Sequence, residues 1–472
     1  MLALAVSPLR AGSLQDLPSI GDSAGSVVSP EFERRLGQAV MRQVRQNTPL
    51  IQDPEVESYI QSIGYQLVAN SDDNQLTFTF FVINNPQINA FAAPGGVVGI
   101  NSGVILNSEK ESELAGVLAH EIAHVTQRHM ARTFEAASKF NMPMAAAVVG
   151  AILLGIANPE AGQAALAVVS GVGAQYQINF TRENEEEADR IGMQLLARSG
   201  FDPRGMPSFF ERLQQSSRYY QGNAPEFLRT HPLTSTRIAD SIARAEQYPR
   251  RDYPNSRNFE LVRARLTVLA HENPADAIKI FEQQLAADDN RDKTAARYGY
   301  ALALMKANNF PKAQEQLRIL LKDDPENIAY LLAMGRLESA QRNFNAAVNI
   351  YREAMRLYPD YRPLVLAYAR ALLNTKQPLE ARELLRKYAR NNEPTLIHYD
   401  LLSQAEAETG SPAESAMAKA EYYYLSGETR LAIDRLKHTQ HNTQLTYYQQ
   451  ERISARLQQL EYELELEKEL KL

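Results

Sequence analysis

A 34-residue step in the second half of the chain limits its possible folds more than any other feature. Four sets of positions keep this step: Ala313, Ala347 and Ala381; Leu317, Tyr351 and Leu385; Ala301, Gly335 and Ala369; and Pro325 with Pro359. A repeat of this length is a pair of helices that cannot bury its apolar face alone, so neighbouring units stack into a curved solenoid. The sequence therefore predicts a helical solenoid, with an irregular helical bundle as the alternative.

The positions of small, aromatic and proline residues within this period resemble the tetratricopeptide repeat. Ala277 and Phe281 indicate an earlier, less regular unit, and residues 422–436 indicate a later one. We therefore predict a repeat domain over residues 256–440. Residues 441–472 end in a stretch made largely of strong helix formers, which predicts a closing helix.

The chain has 472 residues, which is too long for one compact core. Residues 248–255 hold two prolines and a charge run without apolar periodicity, so we predict a linker there rather than a long loop within one domain. Residues 31–247 then form a separate domain that precedes the repeats.

The first residues resemble the tail of a secretory signal, because a short apolar stretch is followed by small residues. The basic segment that should precede that stretch is missing, so the sequence is expected to begin downstream of its natural start. We predict a signal remnant and an extended Ser/Gly/Asp/Pro-rich arm over residues 1–30. A frayed terminus is the alternative.

Hydropathy predicts no transmembrane span, because no run reaches the roughly 20 apolar residues that a spanning helix needs. The longest candidate, residues 144–157, continues after a break to residue 173. It is more typical of a buried or lid-forming helical hairpin than of a segment that contacts a membrane surface.

The net charge of −6 argues against a nucleic-acid partner, which would require a basic face. The chain has no cysteine, so disulfides and thiolate metal sites are excluded. Any metal must therefore be held by histidine and carboxylate side chains.

Two short segments of the first domain are typical of β-structure. Residues 76–83 are rich in β-branched and aromatic side chains, and residues 90–100 indicate a pair of short strands around a Pro94-Gly95-Gly96 turn. The rest of the domain has helical periodicity. The predicted fold class is mainly α: an α+β domain with a small sheet, followed by an α-solenoid.

One predicted helix carries the sequence His120-Glu-Ile-Ala-His124. Its start is expected near Glu109, because Ser108-Glu-Lys-Glu111 has the form of a capping box. Histidines at i and i+4 lie on one face and can share one metal ion. Glu121 lies about 100° round the helix and can reach a water molecule at that ion without binding it.

A second acidic helix follows, with Glu185 and Asp189 also at i and i+4. Catalytic zinc is commonly held by two histidines and one glutamate. Glu185 is the preferred third ligand over Glu186 and Glu187, because Asp189 lies one turn further along the same face. Asp189 can then accept a hydrogen bond from a ligating histidine. Glu186 and Glu187 are predicted to be a solvated charged face.

Three motifs together resemble the zinc metalloprotease family of the CAAX-prenyl protease and the bacterial heat-shock membrane protease. They are Asn89-Ala-Phe-Ala-Ala-Pro-Gly-Gly96, the His120 to His124 motif, and Glu185-Glu-Glu-Ala-Asp189. The resemblance implies one Zn²⁺ per chain held by His120, His124 and Glu185. It also implies Glu121 as general base, with Asp189 in a supporting catalytic role.

A soluble protease of this type joined to tetratricopeptide repeats is similar to the periplasmic members of that family. The similarity implies a periplasmic enzyme that degrades misfolded or stalled outer-membrane proteins or assists their assembly. It further implies that the repeats contact unfolded or partly folded clients and the barrel assembly machinery. A chaperone or scaffold with a latent metal centre is the alternative, and a purely structural zinc is a third hypothesis.

Residues Ala90, Phe91, Ala92 and Ala93 could offer a strand edge to an extended substrate. Plain core packing is the alternative interpretation of so short an apolar strand. This segment is therefore a hypothesis for substrate binding.

His231 lies in a Pro-stiffened turn before a predicted helix that contains Arg237. It could bind zinc as a fourth ligand in a latent state, or stabilise the oxyanion together with Arg237. A structural role at the start of the helix is the alternative. His129, about 500° past His124 on an ideal helix, is expected off the metal-facing side. The repeat-region histidines, His398 among them, are expected at the surface.

Overall fold

The structure is a computed structural model that describes residues 30–72, 76–132, 174–219, 226–287, 292–441 and 445–469. Most of these residues are helical and one three-stranded sheet lies in the first half, so the predicted fold class is confirmed. The predictions for the arm before residue 30 and for the hairpin at 144–173 lie outside the described residues. No helix in the described ranges is long and apolar enough to cross a membrane.

The described part of the first half contains eight α-helices, one 3-10 helix at Pro94–Gly96 and the sheet. In chain order the α-helices and strands are α1 (Pro30–Asn47), α2 (Pro54–Val68), β1 (Thr79–Ile83), β2 (Ala90–Ala93), β3 (Val97–Asn101), α3 (Ser102–Asn107), α4 (Glu111–Thr126), α5 (Ala174–Arg198), α6 (Gly205–Tyr219), α7 (Glu226–Thr230) and α8 (Ser235–Ala245).

The sheet has the strand order β1-β3-β2, with β1 parallel and β2 antiparallel to β3. Both predicted strand regions are therefore confirmed. The turn between β2 and β3 needs its glycines, because Gly95 and Gly96 have φ values of 73° and 75°. A Cβ on Gly96 would lie 2.1 Å from the carbonyl oxygen of Thr77. Since β2 pairs only with β3 among the described strands, it forms one edge of the sheet.

The predicted capping box at Ser108 is wrong, because α4 begins at Glu111 rather than near Glu109. The Ser108 hydroxyl instead donates to the carbonyl oxygen of Val104, at the end of α3, over 2.8 Å. At the start of α4 the capping group is the Glu113 carboxylate, which accepts a 2.7 Å hydrogen bond from the backbone N–H of Glu109. Glu113, rather than Ser108, therefore caps the start of α4.

Beyond residue 256 all the regular secondary structure of the described residues is helical. The helices are α9 (Arg257–Ala270), α10 (Pro274–Ala286), α11 (Thr294–Lys306), α12 (Phe310–Asp323), α13 (Ile328–Ala340), α14 (Phe344–Leu357), α15 (Arg362–Asn374), α16 (Pro378–Tyr388), α17 (Leu396–Glu408), α18 (Pro412–Leu425), α19 (Thr429–Gln440) and α20 (Tyr447–Glu469).

The 34-residue step recurs in the structure as helix pairs. Ala313, Ala347 and Ala381 are completely buried. A left-handed residue also recurs at this step in the turn within each pair: Asn308, Arg342, Lys376 and Gly410. Gly335 meets the Tyr351 ring so closely that a Cβ there would lie 2.3 Å from a ring carbon. Small residues therefore allow the close crossing of the two helices, as predicted.

The repeats pack directly on the first half of the chain. Helix α9 contributes to two cores, because Phe259 packs with the first half and Leu261 with the repeats. Arg265, also on α9, pairs with Asp53 over 2.7 Å and with the buried Glu55 over 2.9 Å. The segment 248–255 carries no helix or strand between α8 and α9. Its role as a domain linker stays a prediction.

The two ends of the described chain also meet. Arg42 of α1 donates a 2.8 Å hydrogen bond to the Tyr424 hydroxyl of α18 and pairs with Glu463 of α20 over 3.5 Å. Arg45 donates to the carbonyl oxygen of Leu425 over 2.8 Å. The last repeats and the final helix are therefore held against the first helix.

The expectation that His398 lies at the surface is wrong. Its side chain on α17 is completely buried beside the rings of Tyr388 and Tyr399. Neither ring nitrogen has a hydrogen-bond partner among the residues that the structure describes. Burial lowers the pKa of His398 to about 4, so the imidazole is neutral in the folded repeat.

This buried histidine predicts acid sensitivity of the repeats. The unfolded chain protonates His398 near its ordinary pKa of 6.5, whereas the folded chain does so only near 4. Between these values the unfolded state binds more protons, so stability is present above the window and falls as the pH is lowered. The expected loss is about 3 kcal/mol between about pH 7 and pH 4.

Urea unfolding of wild type and His398→Phe at several pH values measures this loss. His438→Phe is the matched control, because His438 lies at the surface of α19. The wild type and the control should both lose stability relative to His398→Phe as the pH falls. Parallel pH profiles for all three proteins would contradict the prediction.

Candidate metal centre

Helix α4 presents polar side chains from an otherwise apolar, buried helix. His120 and Glu121 are 1% and 0% exposed. Helix α5 approaches α4 closely, because a Cβ on Gly192 would lie 3.1 Å from the backbone of Ala119. This close approach brings the acidic face of α5 against the two histidines of α4.

His120, His124, Glu185 and His231 each place one potential ligand atom within 4.8 Å of the others. The Nε2 atoms of His120 and His124 lie 3.1 Å apart. The Glu185 carboxylate lies 3.4 Å from each of these nitrogens. Imidazole nitrogens and one carboxylate converging on a common point are the donor set of a catalytic zinc site, so these residues fit a divalent metal.

Asp189 and Arg237 support this cluster from behind. The Nδ1 atom of His120 lies 3.0 Å from Asp189, which leaves Nε2 facing the cluster. Arg237 donates two hydrogen bonds to Asp189, at 2.7 and 2.8 Å, and pairs with Glu185 over 2.9 Å. Burial alone raises the pKa of Asp189, but the adjacent His120 ring and the hydrogen bonds from Arg237 outweigh it and lower that pKa. Asp189 is therefore charged.

The pKa values of the two α4 histidines move in opposite directions. Burial lowers the pKa of His124 to about 3, so this imidazole is neutral, the form that binds a metal. Burial also lowers the pKa of His120, but the adjacent carboxylates of Asp189 and Glu185 outweigh it and raise the pKa to about 10. Metal binding would displace that proton, as ligation generally does. The pKa of Glu185 lies well below its ordinary value: burial raises it, but the neighbouring histidines outweigh this.

Glu121 is suited to proton transfer. Both carboxylate oxygens are buried, and neither accepts a hydrogen bond of normal geometry from the described residues. Burial raises the pKa of this carboxyl, although His231, 3.4 Å away, and the nearby backbone N–H of Ala92 favour the charged form. A buried carboxylate with a raised pKa and open lone pairs can accept a proton near neutral pH.

His231 reaches the cluster from the turn between α7 and α8. Its Nδ1 atom lies 2.9 Å from Glu185 and 3.3 Å from the Nε2 atom of His120. Its ring stacks on Phe227 at 4.7 Å. The roles of His231 as fourth ligand or oxyanion stabiliser stay predictions. An oxyanion role for Arg237 would require one of its ion pairs to open.

His129 lies outside the ligand cluster of the described residues, as expected, but it contacts His124 directly, which the sequence did not predict. Helix α4 ends at Thr126, and Arg128 adopts a left-handed φ of 52° before helical backbone resumes at His129. This turn returns the His129 ring to His124, with the two Nδ1 atoms 2.9 Å apart. Helical arithmetic missed the contact because the sequence carries no glycine or proline at the break.

The expectation of a solvated face holds for Glu186, which is exposed, and fails for Glu187. Glu187 lies 3.2 Å from the Nε2 atom of His129 and accepts a 2.8 Å hydrogen bond from Arg132. The hydrogen bond from His129 lowers the pKa of Glu187 most, and Arg132 adds to it, so that the pKa lies at about 2. Glu187 is therefore charged.

Edge strand β2 runs past Glu121. Ala90 and Ala93 are buried, whereas Phe91 and Ala92 are half-buried. The backbone N–H of Ala92 faces the Glu121 carboxylate. Substrate binding along this edge stays a prediction.

Comparison with known proteins finds two matching families and several relatives of similar sequence. Residues 54–244 match peptidase family M48, and residues 268–337 and 339–405 match the tetratricopeptide repeat. The chain is 40% identical to the beta-barrel assembly-enhancing protease of Escherichia coli K12, with 96% of this chain and 93% of that protein covered. It is 38% identical to the Yersinia pestis protein of that name, with 97% and 96% covered.

The mitochondrial metalloendopeptidase OMA1 of Schizosaccharomyces pombe is 30% identical over 45% of this chain and 60% of that protein.

Proposed function

Because this chain belongs to peptidase family M48 and is thus a metallopeptidase with tetratricopeptide repeats, we propose that it is a zinc endopeptidase of the bacterial periplasm. Its substrates would be misfolded or stalled outer-membrane barrel proteins. The observation that carries the proposal is the convergence of His120, His124 and Glu185 beside the buried Glu121. The Glu121 carboxylate accepts no hydrogen bond of normal geometry from the described residues. One Zn²⁺ per chain would occupy this cluster.

When bound, zinc lowers the pKa of a water ligand and polarises the scissile carbonyl. Glu121 takes the proton of the attacking water on a carboxylate oxygen and passes it to the leaving amine. Asp189 holds His120 in the tautomer that exposes Nε2, and Arg237 holds Asp189 and Glu185 in place. An extended substrate would bind along β2, where main-chain hydrogen bonds require little sequence preference.

The substrate class is supported by relatives that are named beta-barrel assembly-enhancing proteases and match nearly the whole chain. The repeats, held against the protease half, would bind unfolded or partly folded clients and the barrel assembly machinery. A chaperone or scaffold with a latent metal centre is the second candidate. It is favoured by one observation, the position of His231 at the cluster.

Metal analysis and cleavage of a urea-denatured outer-membrane barrel protein test the proposed function. We expect about one zinc per chain, cleavage that a chelator stops and zinc restores, and neither property in a His120→Ala/His124→Ala double variant. Two results would contradict the proposal: a wild-type chain that holds no zinc, or a double variant that holds as much zinc as the wild type. Zinc binding with client binding but no cleavage would favour the chaperone.

His231→Ala should separate latency from catalysis. If His231 occupies the fourth metal position, its removal should raise basal proteolysis. If it stabilises the oxyanion, turnover should fall by roughly a hundredfold, which is typical of losing one transition-state donor. Cleavage of one unfolded substrate by both proteins measures the difference. Unchanged rates with unchanged zinc affinity would assign His231 to the fold alone.

A further inference from the structure

A second chain of hydrogen-bonding groups lies behind His124, on the side away from the ligand cluster. His129 is 4% exposed, and its Nδ1 atom lies 2.9 Å from the Nδ1 atom of His124. The Nε2 atom on the other side of the same ring lies 3.2 Å from a Glu187 oxygen. Arg132 donates a 2.8 Å hydrogen bond to that oxygen. His129 therefore bridges a potential metal ligand and a carboxylate.

The proton positions in this chain follow from the geometry. The Nε2 atom of His124 faces His120 and Glu185, so a metal there would require its lone pair. The proton of a neutral His124 must then lie on Nδ1 and be donated to Nδ1 of His129. His129 in turn carries its proton on Nε2 and donates it to Glu187. Along this series of hydrogen bonds, each ring nitrogen is either a donor or an acceptor, and every donor faces an acceptor.

We propose that His129 and Glu187 are positioning residues that fix the tautomer and ring orientation of His124, as Asp189 does for His120. The inference rests on the proposed metal-dependent function. Partners behind a ligating histidine hold its orientation and raise its basicity, and their loss typically costs 10- to 100-fold in metal affinity or activity. The two α4 histidines would thus be supported separately by two carboxylates of α5.

The geometry of the two helices explains why a histidine, His129, lies between His124 and Glu187. Glu187 is two residues past Glu185, about 200° round α5, so it leaves the cluster-facing side of the helix. The left-handed turn at Arg128 brings His129 into the space between α4 and α5, where it makes both contacts. Arg132 also donates to the carbonyl oxygen of Gln127, which ties Glu187 to the turn that positions His129.

Zinc affinity, measured by competition with a chromophoric chelator, tests the positioning role of His129 and Glu187 independently of cleavage. Glu187→Ala should weaken zinc binding by about tenfold, the lower end of the effect of such partners. Glu186→Ala is the matched control, because it removes an exposed carboxylate from the adjacent position of the same helix, and it should leave the affinity unchanged.

Two variants of His129 separate positioning from packing. His129→Phe keeps a ring but removes both nitrogens, so zinc affinity should fall by about 10- to 100-fold. His129→Gln can still accept from His124 through its carbonyl and donate to Glu187 through its amide, so it should restore most of the affinity. Rescue by glutamine is not expected if the ring only fills space.

Wild-type zinc affinity in Glu187→Ala and His129→Phe would overturn the inference, as would equal losses in His129→Phe and His129→Gln. Should His129→Phe fail to fold, the pair Glu187→Ala and Glu186→Ala decides, because Glu187 is partly exposed. A wild-type chain that binds zinc but cleaves no barrel protein would contradict the proposed function and leave this inference standing.

Discussion

Replacing Glu121 by glutamine should reduce peptide hydrolysis by at least about a hundredfold while the metal stays bound. The amide has nearly the same shape as the carboxylate but cannot take a proton from the attacking water. Since general base catalysis contributes about 10²- to 10⁴-fold, turnover of an unfolded substrate should fall by that factor. The carboxylate is buried and near the cluster without being one of its potential ligands, so zinc content should not change.

Single-turnover cleavage and metal analysis of the same preparation measure both quantities. Glu186→Gln, which changes an exposed carboxylate on α5, is the matched control and should cleave like wild type. Wild-type cleavage by Glu121→Gln would exclude Glu121 as the base. If the repeats also act as a chaperone, Glu121→Gln should still bind clients.

Replacing Arg237 by methionine should have the largest effect on stability. Arg237 is 2% exposed and compensates two buried carboxylates, Asp189 and Glu185. Removing one partner of a buried ion pair leaves uncompensated charge and costs about 3–5 kcal/mol. Its guanidinium also lies over the ring of Phe210, and methionine would preserve only the apolar part of this contact.

Urea unfolding in the presence of a chelator measures the loss without a contribution from bound metal. Arg244→Met is the matched control on the same helix, because Arg244 is exposed, and it should unfold like wild type. An unchanged unfolding midpoint for Arg237→Met would show that the ion pairs contribute nothing to folding.

Local periodicity carried most of the fold prediction. A small residue every 34 positions allows helices to cross closely at that interval, as Gly335 does against the Tyr351 ring. Histidines at i and i+4 lie on one helical face whatever surrounds the helix, so the cluster of His120 and His124 follows from spacing alone. Glu185 was predicted as the third ligand from its spacing to Asp189, and it lies in the cluster that could hold a metal.

The wrong predictions have different physical causes. The capping box at Ser108 failed because α3 already uses that hydroxyl. His398 was expected at the surface because histidine is usually polar and exposed, yet α17 buries it beside two tyrosine rings. No feature within a few residues of His398 reports what packs against it.

By itself the sequence therefore determined which helices and strands form and which side chains share a helical face. Both depend on interactions within about one or two helical turns. The sequence predicted Asp189 beside a histidine of the cluster but left the contacts of His231, Arg237 and His129 open, and only the tertiary structure decided these contacts. His231 meets Glu185 across 46 positions and Arg237 meets Asp189 across 48. His129 contacts His124 because Arg128, just before it, adopts a left-handed backbone conformation. The local sequence does not predict that conformation, which depends on how α4 and α5 pack together.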